Sequence, residues 1–87
     1  MPASADRSSA AQPPRPVAVE LPITLGQFLK VAGLAATGGE AKHLVVSGGV
    51  LVNGQAEKRR GRHLGPGDVV EVPGGPPVAV APSADHQ

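Results

Sequence analysis

The stretch Val50–Val72 reads VLVNGQAEKRRGRHLGPGDVVEV and alternates short apolar runs with turn signals. Val50 to Val52 has strand character, and Asn53-Gly54 behind it is the strongest short hairpin signal, because both residues tolerate positive φ. A two-residue loop pairs Val52 with Gln55 and Leu51 with Ala56, whereas a longer loop shifts these partners. Farther on, Gly65 to Asp68 (GPGD) is a tight turn that delivers the chain into Val69 to Val72, a further strand of the same small sheet. Between the two strand signals lie Lys58, Arg59, Arg60 and Arg62, four basic residues on one connection.

Upstream the period changes to that of a helix. Thr24 with Gln27 three residues on is a capping-box pattern, and Leu25, Phe28, Leu29 and Ala32 form one apolar stripe that Gly33 can terminate. The pattern then repeats. Thr37 and Glu40 form a second capping box, Ala41, Leu44, Val45 and Gly48 an inward stripe, and Gly48-Gly49 a stop, with Lys42 and His43 off the stripe. The expected fold is α+β: two short helices followed by a β-hairpin and a further strand in a small sheet.

Outside this core the composition shifts. Residues 1–22 are rich in Ala, Ser and Pro without a periodic stripe, and Pro13, Pro14 and Pro16 deny them helix and central strand alike. The expectation is a disordered arm over 1–22, a folded domain over 23–72 and a flexible tail over 73–87, with brief edge-strand contacts open to Val78–Val80.

The chain of 87 residues has no Cys, which removes disulfides, thiolate metal sites and thiol nucleophiles and suits a reducing cytoplasm. No apolar run reaches the roughly 18 residues of a membrane span or the roughly seven of a signal-peptide core, so a soluble, unexported protein without membrane contact is expected. The net charge of +1 conceals a local patch: between Ile23 and Val72, Lys30, Lys42, Lys58, Arg59, Arg60 and Arg62 face Glu40, Glu57, Asp68 and Glu71.

A run of basic residues is commonly a solvated loop with neighbouring acids as counterions, here Glu57 first among them. Three features favour an anion-binding surface instead. Three of the four residues are Arg, whose planar fork makes bidentate contacts to phosphate. Gly61 interrupts the run where the backbone can approach a ligand or turn. Both ends of the run are tied to strand signals, so it is displayed on a frame. Phe28 is the only aromatic residue and belongs to the core stripe, leaving no platform for stacking splayed bases. Gly38-Gly39 leads into Glu-Ala-Lys and makes no phosphate loop for nucleotide hydrolysis. A folded RNA recognised by charge and shape is the polyanion that remains.

Taken together, GGVLVNG (Gly48–Gly54) and PGDVVEV (Pro66–Val72), preceded by two capped helices and joined by a basic connection, resemble the S4 RNA-binding domain, or αL motif, over roughly Ile23–Val72. The fuller string, with GGEAK, VNG, RRG and GD in order, is similar to the small stand-alone bacterial members of that family, the YbcJ-like proteins. The resemblance implies a surface for structured RNA, ribosomal or transfer RNA, made by the second helix and the hairpin, and with it association with the ribosome. Carried onto matching positions it implies Lys42, Asn53, Gly54, Lys58, Arg59, Arg60 and Arg62 as RNA-binding residues. There is one departure: many S4 domains open the second helix with a Ser-Arg pair, where this chain has Gly39 and Glu40.

The remaining polar residues carry simpler roles. His43 and His63 have no Cys nearby and no carboxylate at ligand spacing, so no metal, cofactor or catalytic residue is expected. Asn53 and Asp68 are first of all turn residues, and Lys30 can extend the basic patch or stand apart from it. The chain is therefore expected to be a monomeric, non-enzymatic RNA-binding protein. The alternative is an adaptor that docks on a ribosomal or acidic protein partner, with Val46 and Leu51 at the contact.

Overall fold

The computed structural model describes residues 13–83. The elements run β1 (Arg15–Val19), β2 (Ile23–Thr24), α1 (Leu25–Val31), α2 (Gly38–Val46), β3 (Leu51–Val52), β4 (Gln55–Ala56), β5 (His63–Leu64), β6 (Val69–Glu71) and β7 (Val78–Pro82). A five-stranded sheet has the order β1-β7-β6-β3-β4, and β2 and β5 form a separate two-stranded ribbon. This is an α+β architecture.

Each helix is bounded by specific side chains. Thr24 Oγ1 accepts from the Gln27 N–H at 3.3 Å while Gln27 Oε1 accepts from the Thr24 N–H at 3.0 Å, a closed capping box for α1. At α2, Thr37 Oγ1 accepts from the Glu40 N–H at 3.0 Å, but Glu40 reaches one residue farther back than expected, accepting from the Ala36 N–H at 2.6 Å. The orphan amides of both first turns are thus partly satisfied. Both helices end alike. Gly33 and Gly48 stand at φ +77° and +84°, and the Leu34 and Gly49 N–H groups donate back to the Leu29 and Leu44 carbonyls at 2.8 and 3.2 Å. With the Gly33–Lys30 and Gly48–Val45 bonds beside them, these are Schellman closures that need a residue free to adopt positive φ.

The helical stripes and the inner face of the sheet share one core. Leu25, Phe28 and Leu29 of α1, Ala41 and Val45 of α2, and Val50, Val52, Val70, Val78 and Val80 are all buried in it. Each large side chain so placed contributes roughly 1.5–3 kcal/mol. In the hairpin, Leu51 lies opposite Ala56 and Val52 opposite Gln55.

The ordered unit is wider than 23–72. Arg15–Val19, expected in a disordered arm, is a strand paired in parallel with β7, Arg15 opposite Val78 and Val19 opposite Pro82. Val78–Pro82, expected in a flexible tail, lies inside the sheet between β1 and β6. The reason is apolar burial: Val78, Val80 and Val19 have 0, 2 and 4% of their surface exposed. Pro16 is compatible because it sits on the edge strand. The Arg15 N–H and the Val19 carbonyl bond towards β7, so by alternation the Pro16 nitrogen faces outward, where no ladder donor is required. The parts of the arm and tail at residues 1–12 and 84–87 lie outside the described residues. The β2–β5 ribbon is also additional to the expected elements. It lays Ile23 against Leu64 and Thr24 against His63, fastening the far end of the basic connection to the start of α1.

Candidate nucleic-acid interface

The connection from β4 to β5, residues 57–62, is held by its own backbone. The Glu57 N–H donates to the Val50 carbonyl at 3.0 Å and the Arg62 N–H to the Arg59 carbonyl at 3.2 Å. Two more carbonyls, of Arg62 and Arg60, accept from the Leu25 and Gly26 N–H groups in the first turn of α1, at 2.8 and 3.0 Å. Amides that α1 cannot satisfy internally are therefore used to fix the loop. Gly26 lies against the loop: a Cβ there would stand at ordinary contact distance, 3.4 Å from Arg60 Cγ and 3.6 Å from the Arg60 carbonyl oxygen.

Inside the loop one acid organises two arginines. Glu57 Oε2 accepts from Arg59 Nε at 3.0 Å and from the Arg59 N–H at 3.2 Å, and Oε1 accepts from Arg62 Nη1 at 3.0 Å. The Arg59 side-chain hydrogen bond, followed by that from Arg62, draws the Glu57 carboxyl down to about 2, against the opposing effect of burial. The carboxylate is 12% exposed and Arg62 33%, so this end of the cluster is a strut within the loop. Arg59 is different, with 77% of its side chain exposed and much of its guanidinium still presented outward.

Lys58, Arg60, Lys42 and Lys30 are exposed and form no ion pair among the described residues. Lys58 passes over the end of α2, its Cε 3.4 Å from where a Cβ on Gly48 would stand. Arg60 and Lys30 line a common groove between the loop and the two helices. The structure thereby joins Lys30 to Arg60, an association that one-dimensional spacing left open.

The hairpin tip is built differently. Asn53 has φ +53° and Gly54 φ +84°, as the two-residue turn demands. The Asn53 side chain is consumed internally: Nδ2 donates to Asp68 Oδ1 at 3.1 Å, and Oδ1 accepts from the Val69 N–H at 2.9 Å. Its backbone N–H donates to the Val69 carbonyl at 2.7 Å. Asp68 Oδ2 also accepts from the Gly65 N–H at 2.9 Å, and this bond, then that from Asn53, lowers the Asp68 pKa. Asn53 and Asp68 thus lock the hairpin onto the 65–68 turn. Glu40, the acid at the start of α2, likewise has its carboxylate drawn back onto the Ala36 amide.

Among the described residues no group of three His, Cys, Asp or Glu side chains could hold a metal, and no helix is long and apolar enough to cross a membrane. The function of Glu57 as a hub was missed as such in the sequence, which showed it only as a counterion. Its signal was the spacing to Arg59 and Arg62, two and five residues on.

Residues 19–80 match the S4 domain family. The chain is also similar to a protein of Bacillus subtilis (strain 168) named "Probable ribosome maturation protein RlbA", with 54% identity over 52 residues, covering 60% of this chain and 73% of the relative. The matched span takes in both helices, the hairpin, the basic loop and β7 up to Val80, and on that extent of agreement this chain belongs to the S4 domain family.

Proposed function

We propose that the protein is a non-enzymatic RNA-binding module acting on ribosomal RNA, in ribosome maturation, and recognising a folded segment by charge and shape. The observation that carries this is the loop 57–62: its backbone is tied to α1 and to Val50, while Lys58 and Arg60 stand exposed and unpaired on it. Cations held on a fixed frame lose little freedom on meeting phosphates, which favours a structured polyanion over a random one. The relative named for ribosome maturation supports the same class of partner. In this proposal Lys42, Lys58, Arg59 and Arg60 meet phosphate, while Arg62, Asn53 and Gly54 hold the surface that presents them.

The test is recovery of crosslinked RNA from cells with the wild type and with a folded Arg59→Ala, Arg60→Ala, Arg62→Ala variant. A discrete structured RNA is expected with the first and lost with the second. With about four to six phosphates neutralised, log Kd of the purified complex should change with log salt at a slope of magnitude roughly 3–5. Equal background recovery by both proteins would transfer the function to protein docking. Val46, an apolar residue of α2 with 57% of its surface exposed, gives that second reading its footing.

A further inference from the structure

We propose that the groove between α1, the first turn of α2 and the Arg60–Gly61 step seats one ribose-phosphate unit of the bound RNA. Lys30 and Arg60 grip the phosphate, and Gly38 and Gly61 form low walls that admit it. This rests on the RNA-binding function proposed above and adds residues that the basic run alone does not contain.

The groove encloses about 300 Å³, at the small end of the roughly 300–1,000 Å³ typical of ligand sites. Its lining carries two cations, Lys30 from α1 and Arg60 from the loop, and no acid. Glu40, at the start of α2, is bonded to the Ala36 amide, and Glu20 lines a neighbouring cavity that also takes in Gln27 and Lys30; neither acid lines the groove. There is no aromatic side chain in the lining either, so the groove suits the sugar-phosphate backbone and not a stacked base.

The glycines strengthen the assignment. Seven of the twelve glycines have a reason in the fold: Gly33, Gly48, Gly54, Gly67 and Gly74 adopt positive φ, and a Cβ on Gly49 or Gly75 would crowd Pro73 or Val72 at 3.1 or 3.2 Å. Five have neither: Gly26 and Gly39, where a Cβ would make only ordinary contacts, and Gly38, Gly61 and Gly65, where it would meet no atom within 4 Å. Of the last three, Gly38 and Gly61 line the groove and Gly65 does not. Alanine would fit both positions and restrict the unfolded chain, so glycine there costs stability that the fold does not require. Both line the groove, where a missing Cβ lets a ligand approach the backbone closely.

The two effects of adding a Cβ have opposite signs, and that provides the test. The Gly38→Ala, Gly61→Ala double variant should melt roughly 2–5 °C higher than the wild type yet bind the recovered ribosomal RNA segment roughly fivefold or more weakly. Lys30→Gln should reduce the magnitude of the salt slope by about one. Lys58→Gln, outside the groove, serves as the comparison for the wider basic surface. If Lys58→Gln weakens binding while the glycine variant and Lys30→Gln bind like wild type with an unchanged salt slope, the groove assignment is overturned and the RNA-binding function stands. If wild type binds no RNA, both fall together. Should the glycine variant fold poorly, Lys30→Gln carries the decision, and an unchanged salt slope overturns the groove.

Discussion

The hairpin tip at Asn53-Gly54 and the basic loop at Lys58–Arg62 are both short, polar and exposed, yet they use their hydrogen-bonding groups in opposite ways. At the tip the side chain turns inward: the Asn53 amide donates to Asp68 and accepts from Val69. In the loop the backbone turns inward, with the Arg60 and Arg62 carbonyls engaged by α1, and the side chains of Lys58 and Arg60 are left for solvent or a ligand. The first arrangement fixes a fold and the second presents a surface. Where a polar segment's donors and acceptors go distinguishes the two better than its composition does.

The largest effect is expected at the tip. Asn53→Ala forces a Cβ-bearing residue without a compensating side chain into φ +53° and removes one of the two donors to Asp68 and the side-chain acceptor of the Val69 amide. A loss of about 2–4 kcal/mol is expected in chemical denaturation, with the affinity of the folded fraction for RNA within about twofold of wild type. Asn53→Gly should recover the backbone part of that loss and leave the hydrogen-bond part. A large fall in affinity without loss of stability would put Asn53 on the RNA and remove the distinction between the two regions.

Next in size is the contrast inside the loop. Arg60→Ala is expected to weaken RNA binding roughly tenfold and to reduce the magnitude of the salt slope by about one, with little change in melting temperature. Arg62→Ala should show the reverse balance. It removes one of the two guanidinium partners of Glu57, so the melting temperature falls by a few degrees and RNA binding weakens only as the loop loosens. Equal losses of affinity with no loss of stability in either would make Arg62 a phosphate contact like Arg60.

The helices were legible in the sequence residue by residue. Thr24, Gln27, Gly33, Thr37 and Gly48 act within a turn or two of their own position, and a local signal survives in one dimension. Strands β1 and β7 were not legible. Their pairing joins opposite ends of the described chain, and the prolines around them outweigh a short alternation such as Val78-Ala79-Val80 when composition is read alone. The rule that proline avoids central strands holds at Pro16, but an edge strand satisfies it as well as disorder does. For the candidate site, the identity of the cations was legible and their division of labour was not. The bonds that fix the loop come from backbone carbonyls, which every residue type carries, and Lys30 meets Arg60 only through the path of α1.

The smallest effect separates the two regions by acid and salt. Glu57 falls from an ordinary 4.5 to about 2, and Asp68 falls below its ordinary 3.8. Each carboxyl binds protons more weakly folded than unfolded, so its stabilisation is complete above the unfolded pKa and is lost as pH drops through the folded one. Melting temperature should therefore hold level above about pH 5.5 and decline from about pH 4.5 towards pH 2. The causes differ, because Glu57 is held chiefly by two guanidinium groups, whereas the N–H groups of Gly65 and Asn53 lead at Asp68, with the more distant charge of Arg62 a lesser influence. Salt screens an ion pair with an exposed partner, as Glu57 has in Arg59, more than it weakens hydrogen bonds from uncharged donors. Glu57→Gln should accordingly remove most of the salt-sensitive part of the acid transition, and Asp68→Asn most of the part that persists at about 1 M salt. If both variants change the same salt-sensitive part, the tip is an electrostatic element after all, and the contrast between an inward-turned side chain and an inward-turned backbone loses its physical basis.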